Sequence, residues 1–244
     1  MKMWKVNVLT LFPEMFPGPL GYSVIGRGLE EKIWGLNTVN IRDFATDKHQ
    51  TVDDTPCGGG VGMLLRPDII DSALKHTLDD TKGKIIYLSP RGEQFTHKMA
   101  HELCNEDNIT LLCGRFEGID QRVLDKWGVI EVSIGDFILA GGEIAAMALI
   151  ESCVRLLPGV LGDPQSTEIE SFSHNLLEYP QYTKPVNWDG NLVPEVLLSG
   201  HHKKISSWRL MKAEEITAQR RPDLWQKYLV EKGKGLSHGH NEKD

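Results

Sequence analysis

Three short segments carry residue types suited to holding a small molecule by its polar edges. Leu88-Ser89-Pro90, Cys113-Gly114 and Ser133-Ile134-Gly135 each close a run of β-prone apolar residues, and Gly141-Gly142 follows closely. Ligands of open α/β sheets sit outside the carboxyl ends of the strands. Glycines there let backbone N–H and C=O groups approach a ligand without side-chain bulk. Such loops suit an adenine and a sugar held mainly by main chain. Any one glycine could simply make a turn; the set reads as a site.

Other candidates are weaker taken singly. Gly58-Gly59-Gly60 lacks the Gly-Lys-Ser/Thr ending of a phosphate-cradling P-loop. It also follows Asp53-Asp54-Thr55-Pro56 and not an apolar strand, so a dinucleotide fingerprint does not fit. It reads equally as a turn or as a binding loop. Arg155 ends an otherwise apolar helical stretch, where a cation complements the helix dipole. Glu168 and Glu170 lie in the polar stretch beyond it. Residue type alone ranks none of the three as catalytic. Cys57, Cys104, Cys113 and Cys153 form no C-x-x-C pair, which predicts buried free thiols and no structural zinc. His201, His202, His238 and His240 read as solvated.

The elements that must position these residues follow from periodicity. Strands are predicted at 4–11, 38–42, 84–88, 109–113 and 129–133. Helices are predicted at 23–34, from Pro67-Asp68 onward, and at 96–103, 120–126 and 143–157. This alternation implies an α/β architecture with a mostly parallel sheet. After Gly162 the composition changes. Residues 163–173 read as a linker and 179–194 as a proline-rich loop. Helices follow from Ser199-Gly200 to about Arg221 and over 223–231, and a polar tail from Lys232 is predicted to be disordered.

The 244 residues suffice for a sizeable core. Hydrophobic residues make up 40% and charged residues 25%, within the range of soluble globular chains. No apolar run reaches the ~20 residues of a membrane span, and the chain reads as cytoplasmic. The net charge of -7 argues mildly against a nucleic-acid partner. The charge is unevenly spread, however. From Ser171 onward there are 11 Lys+Arg against 9 Asp+Glu, and the excess of acid lies entirely before that point.

An ordered set of motifs gives the chain a family resemblance. They are Leu11-Phe12-Pro13-Glu14-Met15-Phe16, Thr51-Val52-Asp53-Asp54 with Gly58-Gly59-Gly60, and Tyr87-Leu88-Ser89-Pro90. Cys113-Gly114-Arg115-Phe116-Glu117-Gly118-Ile119-Asp120, Ser133-Ile134-Gly135-Asp136-Phe137 and Gly141-Gly142-Glu143 continue it. Pro158-Gly159-Val160-Leu161-Gly162, Tyr182-Thr183-Lys184-Pro185 and Val196-Leu197-Leu198-Ser199-Gly200-His201 complete it. In this order the motifs resemble the bacterial tRNA (guanine-37-N1)-methyltransferases of the SPOUT superfamily, over nearly the whole chain.

The resemblance implies a trefoil-knotted α/β domain over residues 1–162, a linker at 163–175 and a small helical domain at 176–244 that grips tRNA. It also implies a homodimer with active sites between subunits. S-adenosylmethionine would lie in the knot against Leu88, Ser89, Pro90, Gly114, Ser133, Ile134, Gly135, Asp136, Phe137, Ile138, Leu139, Gly141 and Gly142. Substrate contacts would fall on Asp53, Gly58, Gly59, Arg115, Glu117 and Ser166, with Arg115 and Glu117 matching positions near the target guanosine. Arg155 matches the family's catalytic arginine. Glu170 stands where the familiar pattern has a catalytic aspartate, which keeps the carboxylate and lengthens its arm. Magnesium dependence is a further expectation of the resemblance.

The implied chemistry is coherent. N1 of neutral guanine carries a proton and is a poor nucleophile until that proton leaves. A carboxylate can take it while a cation stabilises charge developing on O6.

Overall fold

The computed structural model describes residues 2–78, 83–162 and 170–238, and the chain divides into two compact units, 1–162 and 163–244. The first unit begins with β1 (Trp4–Thr10), α1 (Ser23–Glu30) and β2 (Trp34–Asn40). A minimal hairpin follows, β3 (Asp53–Asp54) and β4 (Leu64–Leu65), then α2 (Pro67–Thr77) and β5 (Lys84–Gln94). The rest is α3 (His97–Cys104), β6 (Asn108–Leu112), α4 (Gln121–Trp127), β7 (Ile130–Ser133) and α5 (Glu143–Val154).

Five strands form one sheet in the order β2-β1-β6-β5-β7, and every pairing in it is parallel. Parallel strands covered on both faces read as continuous apolar runs, and all five residues of β6 are buried. Alternation divides the core. Val6, Val8, Ile86, Leu88, Ile109 and Leu111 face α1, α3 and α5. Leu9, Ile85, Tyr87 and Leu112 face α2 and α4. Helix α5 is apolar nearly all round, as a core helix must be, and eight of its twelve residues are buried.

The structure revises several sequence expectations. Helix α1 stops at Glu30, because Lys32 takes a left-handed conformation and the chain turns into β2. Trp34 therefore opens the strand and is fully buried, its indole N–H donating to Ile25 O at 2.9 Å. β2 ends at Asn40, whose side chain accepts from the Arg42 amide and caps a short 3-10 turn, Ile41–Phe44. β5 does not end at Leu88. Residues 89–92 leave the ladder, and Glu93 and Gln94 pair again with β7. Gly92 permits that return, since a Cβ there would sit 2.3 Å from the Val132 amide nitrogen. Helix α5 ends three residues early, with Arg155 as its C-cap. Cys57 is exposed and Cys104 half-buried, so the expectation of buried thiols holds for Cys113 and Cys153, and all four are free.

The second unit is mostly helical where described. It contains the hairpin β8 (Asn187–Trp188) and β9 (Asn191–Leu192), then α6 (Glu195–Leu198), α7 (His202–Arg220) and α8 (Pro222–His238). The hairpin lies within the stretch expected to be a loop. Its turn is Asp189-Gly190, both at positive φ, a pairing that suits tight hairpins. Gly200 at φ +68° separates α6, which periodicity did not reveal, from α7. Helix α8 runs on through residues expected to be disordered. Glu214 anchors it, taking hydrogen bonds from the Tyr228 hydroxyl at 2.5 Å and from Lys232 Nζ at 2.8 Å.

Candidate functional site

The carboxyl ends of β5, β6 and β7 open onto one cavity of about 450 Å³. Of the expected cofactor contacts, Leu88, Ser89, Pro90, Gly114, Ser133, Ile134, Gly135, Phe137, Ile138, Leu139, Gly141 and Gly142 line it, and Asp136 does not. Arg115 and Glu117 line it as well. Asp53, Gly58 and Gly59 do not, although Leu64, on the return strand of the same hairpin, does. Ser166 lies outside the described residues, as do Asp163 and Glu168.

Local chemistry shapes each wall. The Ser133 hydroxyl accepts from the Gly135 amide at 3.2 Å and donates to the Gly135 carbonyl at 3.1 Å, folding the chain sharply at the end of β7. The loop 89–92 is tied by the Arg91 amide, which donates to the Ser89 hydroxyl at 3.3 Å. The glycine hairpin docks through Glu117 N to Met63 O and Leu65 N to Gly118 O, both 2.9 Å. A Cβ on Gly62 would lie 2.5 Å from the Glu117 side chain. Gly58, Gly59 and Gly60 all have positive φ and nothing within 4 Å of a would-be Cβ. Glycine is required there by backbone conformation and not by packing.

The cavity glycines are required by packing. A Cβ on Gly114 would meet the Tyr87 ring at 2.7 Å, and one on Gly142 the Cys113 backbone at 2.8 Å. Tyr87 also lines the cavity, and burial pushes its phenol pKa upward. Burial pushes the Cys113 thiol well up too, with nearby Glu143 adding to the effect. Both groups stay neutral at ordinary pH.

A charge pair built on a buried carboxylate forms part of this wall. Glu143, the first residue of α5, is 1% exposed. Its Oε2 lies 2.9 Å from Arg115 Nη2, and its Oε1 accepts from Arg115 Nε at 3.2 Å and from the Thr10 hydroxyl at 2.8 Å. Thr10 Oγ1 in turn accepts from the Phe12 amide at 3.0 Å. Sequence reasoning passed over Glu143 and Thr10 as functional residues. A glutamate opening a helix reads as a dipole partner on the surface, and only packing reveals that it is buried.

The two expected catalytic residues belong to different units. Arg155 sits at the far end of α5 and does not line the cavity. Glu170 belongs to the second unit, where its carbonyl accepts from the Ser173 amide at 3.1 Å. Among the described residues no group of three or more His, Cys, Asp or Glu could hold a metal ion. No helix among them is long and apolar enough to cross a membrane.

The family model described as tRNA (Guanine-1)-methyltransferase TrmD matches residues 3–227. A protein of Ruegeria sp. (strain TM1040) named tRNA (guanine-N(1)-)-methyltransferase is 54% identical over 234 residues, covering 95% of this chain and 96% of its own. Proteins of the same name from Rhodospirillum rubrum and Ehrlichia canis are 56% and 57% identical over 223 and 221 residues. These cover 91% and 90% of this chain and 93% and 94% of their own. With a parallel sheet whose strand ends converge on one cavity, and a match that runs nearly end to end, the chain belongs to the tRNA (guanine-1)-methyltransferase TrmD family.

Proposed function

We propose that this protein transfers a methyl group from S-adenosylmethionine to N1 of guanosine 37 in tRNA, beside the anticodon, as an enzyme of the cytoplasm. The observation that carries this reading is the convergence of three strand-end loops on a single cavity in a chain of this family. The cavity suits the donor. Its volume falls within the roughly 300–1,000 Å³ of small-molecule sites. Leu88, Ile134 and Leu139 offer apolar surface for a purine, and the main chain at 89, 114, 135 and 141–142 offers polar edges. S-adenosylmethionine, when bound, supplies an electrophilic methyl group on a sulfonium.

The chain's own residues do the remaining work. Glu170 takes the N1 proton, so that the ring nitrogen's electron pair is free to form the new N–C bond. Arg155 donates to O6, where negative charge collects. The loops fix the donor so that transfer can proceed in line, which is an orientation effect. The target base must leave its stack to be reached, at a cost of a few kcal/mol. Products are N1-methylguanosine and S-adenosylhomocysteine, with the proton on Glu170.

A homodimer with shared sites belongs to the same proposal, as does a trefoil knot in residues 1–162. Helix α5 supports the shared site: its twelve residues put Arg155 about 18 Å from the cavity end of the helix. An arginine side chain does not span that distance, but a second subunit can bring its own Arg155 to the cavity. The exposed Phe137, Ile138 and Ile144 give an apolar surface for such an encounter. Residues 176–244 would grip tRNA, with His201, His202, Lys203 and Lys204 opening α7 as a basic patch. A magnesium requirement belongs to this reading as an implication of the family resemblance.

The test is mass spectrometry of tRNA incubated with the protein and S-adenosylmethionine. N1-methylguanosine at position 37, absent when position 37 is adenosine, is the expected result. Methylation of a ribose hydroxyl or of ribosomal RNA in its place would identify a different SPOUT activity, and no transfer would leave a binding protein.

A further inference from the structure

We propose that Arg115 is a positioning residue for the loop carrying Gly141 and Gly142, locked by the buried carboxylate of Glu143, and not an arm that reaches the RNA base. The family match alone would put Arg115 beside the target guanosine. The inference rests on reading the cavity as the methyl-donor site.

Each nitrogen of the guanidinium has a partner within the protein. An arginine has five N–H donors. Nε donates to Glu143, Nη2 pairs with the same carboxylate by charge and lies 3.7 Å from the Met15 sulfur, and Nη1 donates to the Ala140 carbonyl at 3.4 Å. One face of the group covers the Phe12 ring at 4.3 Å. The group also lies close to Gly141, where a Cβ would come within 2.3 Å of Nε. Arg115 and Gly141 also form an isolated antiparallel bridge, and the Gly142 amide donates to Gly114 O at 3.0 Å. Arg115 thus joins the end of β1, the loop after β6 and the loop before α5.

Burial decides against a swinging arm. Glu143 is 1% exposed, and its Oε2 has the Arg115 charge beside it but no hydrogen bond of good geometry. If Arg115 left to contact a base, that carboxylate would remain buried with only the Thr10 hydroxyl. Breaking a buried pair by removing one partner is strongly unfavourable because the other charge stays uncompensated. The carboxylate's place in the first turn of α5, where the helix dipole favours negative charge, fixes it further.

The test measures S-adenosylmethionine binding by calorimetry with no RNA present, in the full-length protein. Glu143→Gln and Arg115→Lys should each raise its Kd by about 10–100-fold, the scale of losing a well-oriented site. The tRNA Kd should stay within twofold. The double variant should bind no more weakly than Arg115→Lys alone, because the two residues act as one unit. Amide hydrogen exchange at Gly142, measured without ligand, should speed up in both variants. Thr10→Val, which keeps the ion pair, should move each readout less and in the same direction, and Thr10→Ser should restore it. Thermal unfolding confirms that each variant is folded.

The proposal is overturned if folded Arg115→Lys binds S-adenosylmethionine as wild type does while tRNA affinity or single-turnover rate falls. It is also overturned if only the melting temperature drops and neither cofactor affinity nor Gly142 exchange changes. Wild-type protein that binds no S-adenosylmethionine would instead defeat the reading of the cavity, while the exchange measurement would still report on the clamp.

Discussion

In the first unit the large apolar side chains lie inside. Trp34, Leu9, Ile70, Ile86, Leu111 and Leu149 are each below 2% exposed. In the second unit the buried residues among those described are Leu176, Ala213, Thr217 and Leu224, while Trp188, Leu192, Leu210 and Met211 lie largely open. The first unit presents its cavity with backbone and glycines, which give no tolerance to a misplaced strand end. A dense two-faced core holds those ends in place. The second unit presents long side chains on helices and a hairpin, and the tRNA-gripping role proposed for it needs charge more than fixed backbone geometry. Changes at the cavity of the first unit should therefore act on the small ligand, and changes in the second unit on RNA and the proton.

The largest effect expected separates the units most sharply. Glu170→Gln keeps size and hydrogen bonding but removes basicity, so the single-turnover rate should fall by about 10²–10⁴. Cofactor and tRNA affinities should be nearly intact, and Glu170→Asp should keep more activity. Near wild-type turnover in Glu170→Gln, with collapse of Asp163→Asn or Glu168→Gln, would transfer the base role to another carboxylate.

Gly141→Val puts a branched side chain where Arg115 already lies. Overpacking of this kind costs about 1–3 kcal/mol, enough to weaken S-adenosylmethionine by about 10–100-fold. Calorimetry and tRNA binding together check the contrast. Unchanged cofactor affinity in the folded variant would mean that the glycine loop is not a cofactor wall.

Lys203→Ala with Lys204→Ala should flatten the salt dependence of tRNA binding by about 1–2 in log–log slope, with cofactor binding unaltered. An unchanged slope would place the phosphate contacts elsewhere.

The smallest effect concerns stability and stays within the first unit. The Asp71 carboxylate is 17% exposed and joins α2 to α4, accepting from Lys126 Nζ at 2.6 Å and Trp127 Nε1 at 2.8 Å, with Lys75 also bonded at 2.8 Å. The Lys126 ammonium, then Lys75, holds its pKa far below the usual carboxylate range. A depressed folded pKa means that the stabilisation is complete above the unfolded value, near 3.9, and fades as pH falls through the folded one. Asp71→Asn should cost about 1 kcal/mol at pH 7, a gap that narrows below about pH 3, with methyl transfer unchanged. Chemical denaturation across pH measures this; a gap independent of pH would remove the charge from the explanation.

The alternation of apolar runs with amphipathic stretches was enough to give the parallel α/β class and most strand ends, because buried parallel strands leave continuous Val/Ile/Leu runs. Cys113-Gly114 and Ser133-Gly135 were legible as ends, and Leu88-Ser89 as a break, because serine and glycine interrupt those runs. Periodicity could not show that β5 resumes at Glu93, since the return depends on Gly92 lying against the backbone of a strand forty residues later. It could not extend α8 past Lys232 either, because that helix is held by Glu214, which lies on another helix. The family motifs supplied candidates for the roles of Arg155 and Glu170, which composition and spacing left open. Sequence alone determined which residue types stand at the strand ends. Only the tertiary structure decided that Thr10, Arg115 and Glu143, as far apart as 133 positions in the chain, share one buried network, because the burial of a charge depends on the whole fold around it.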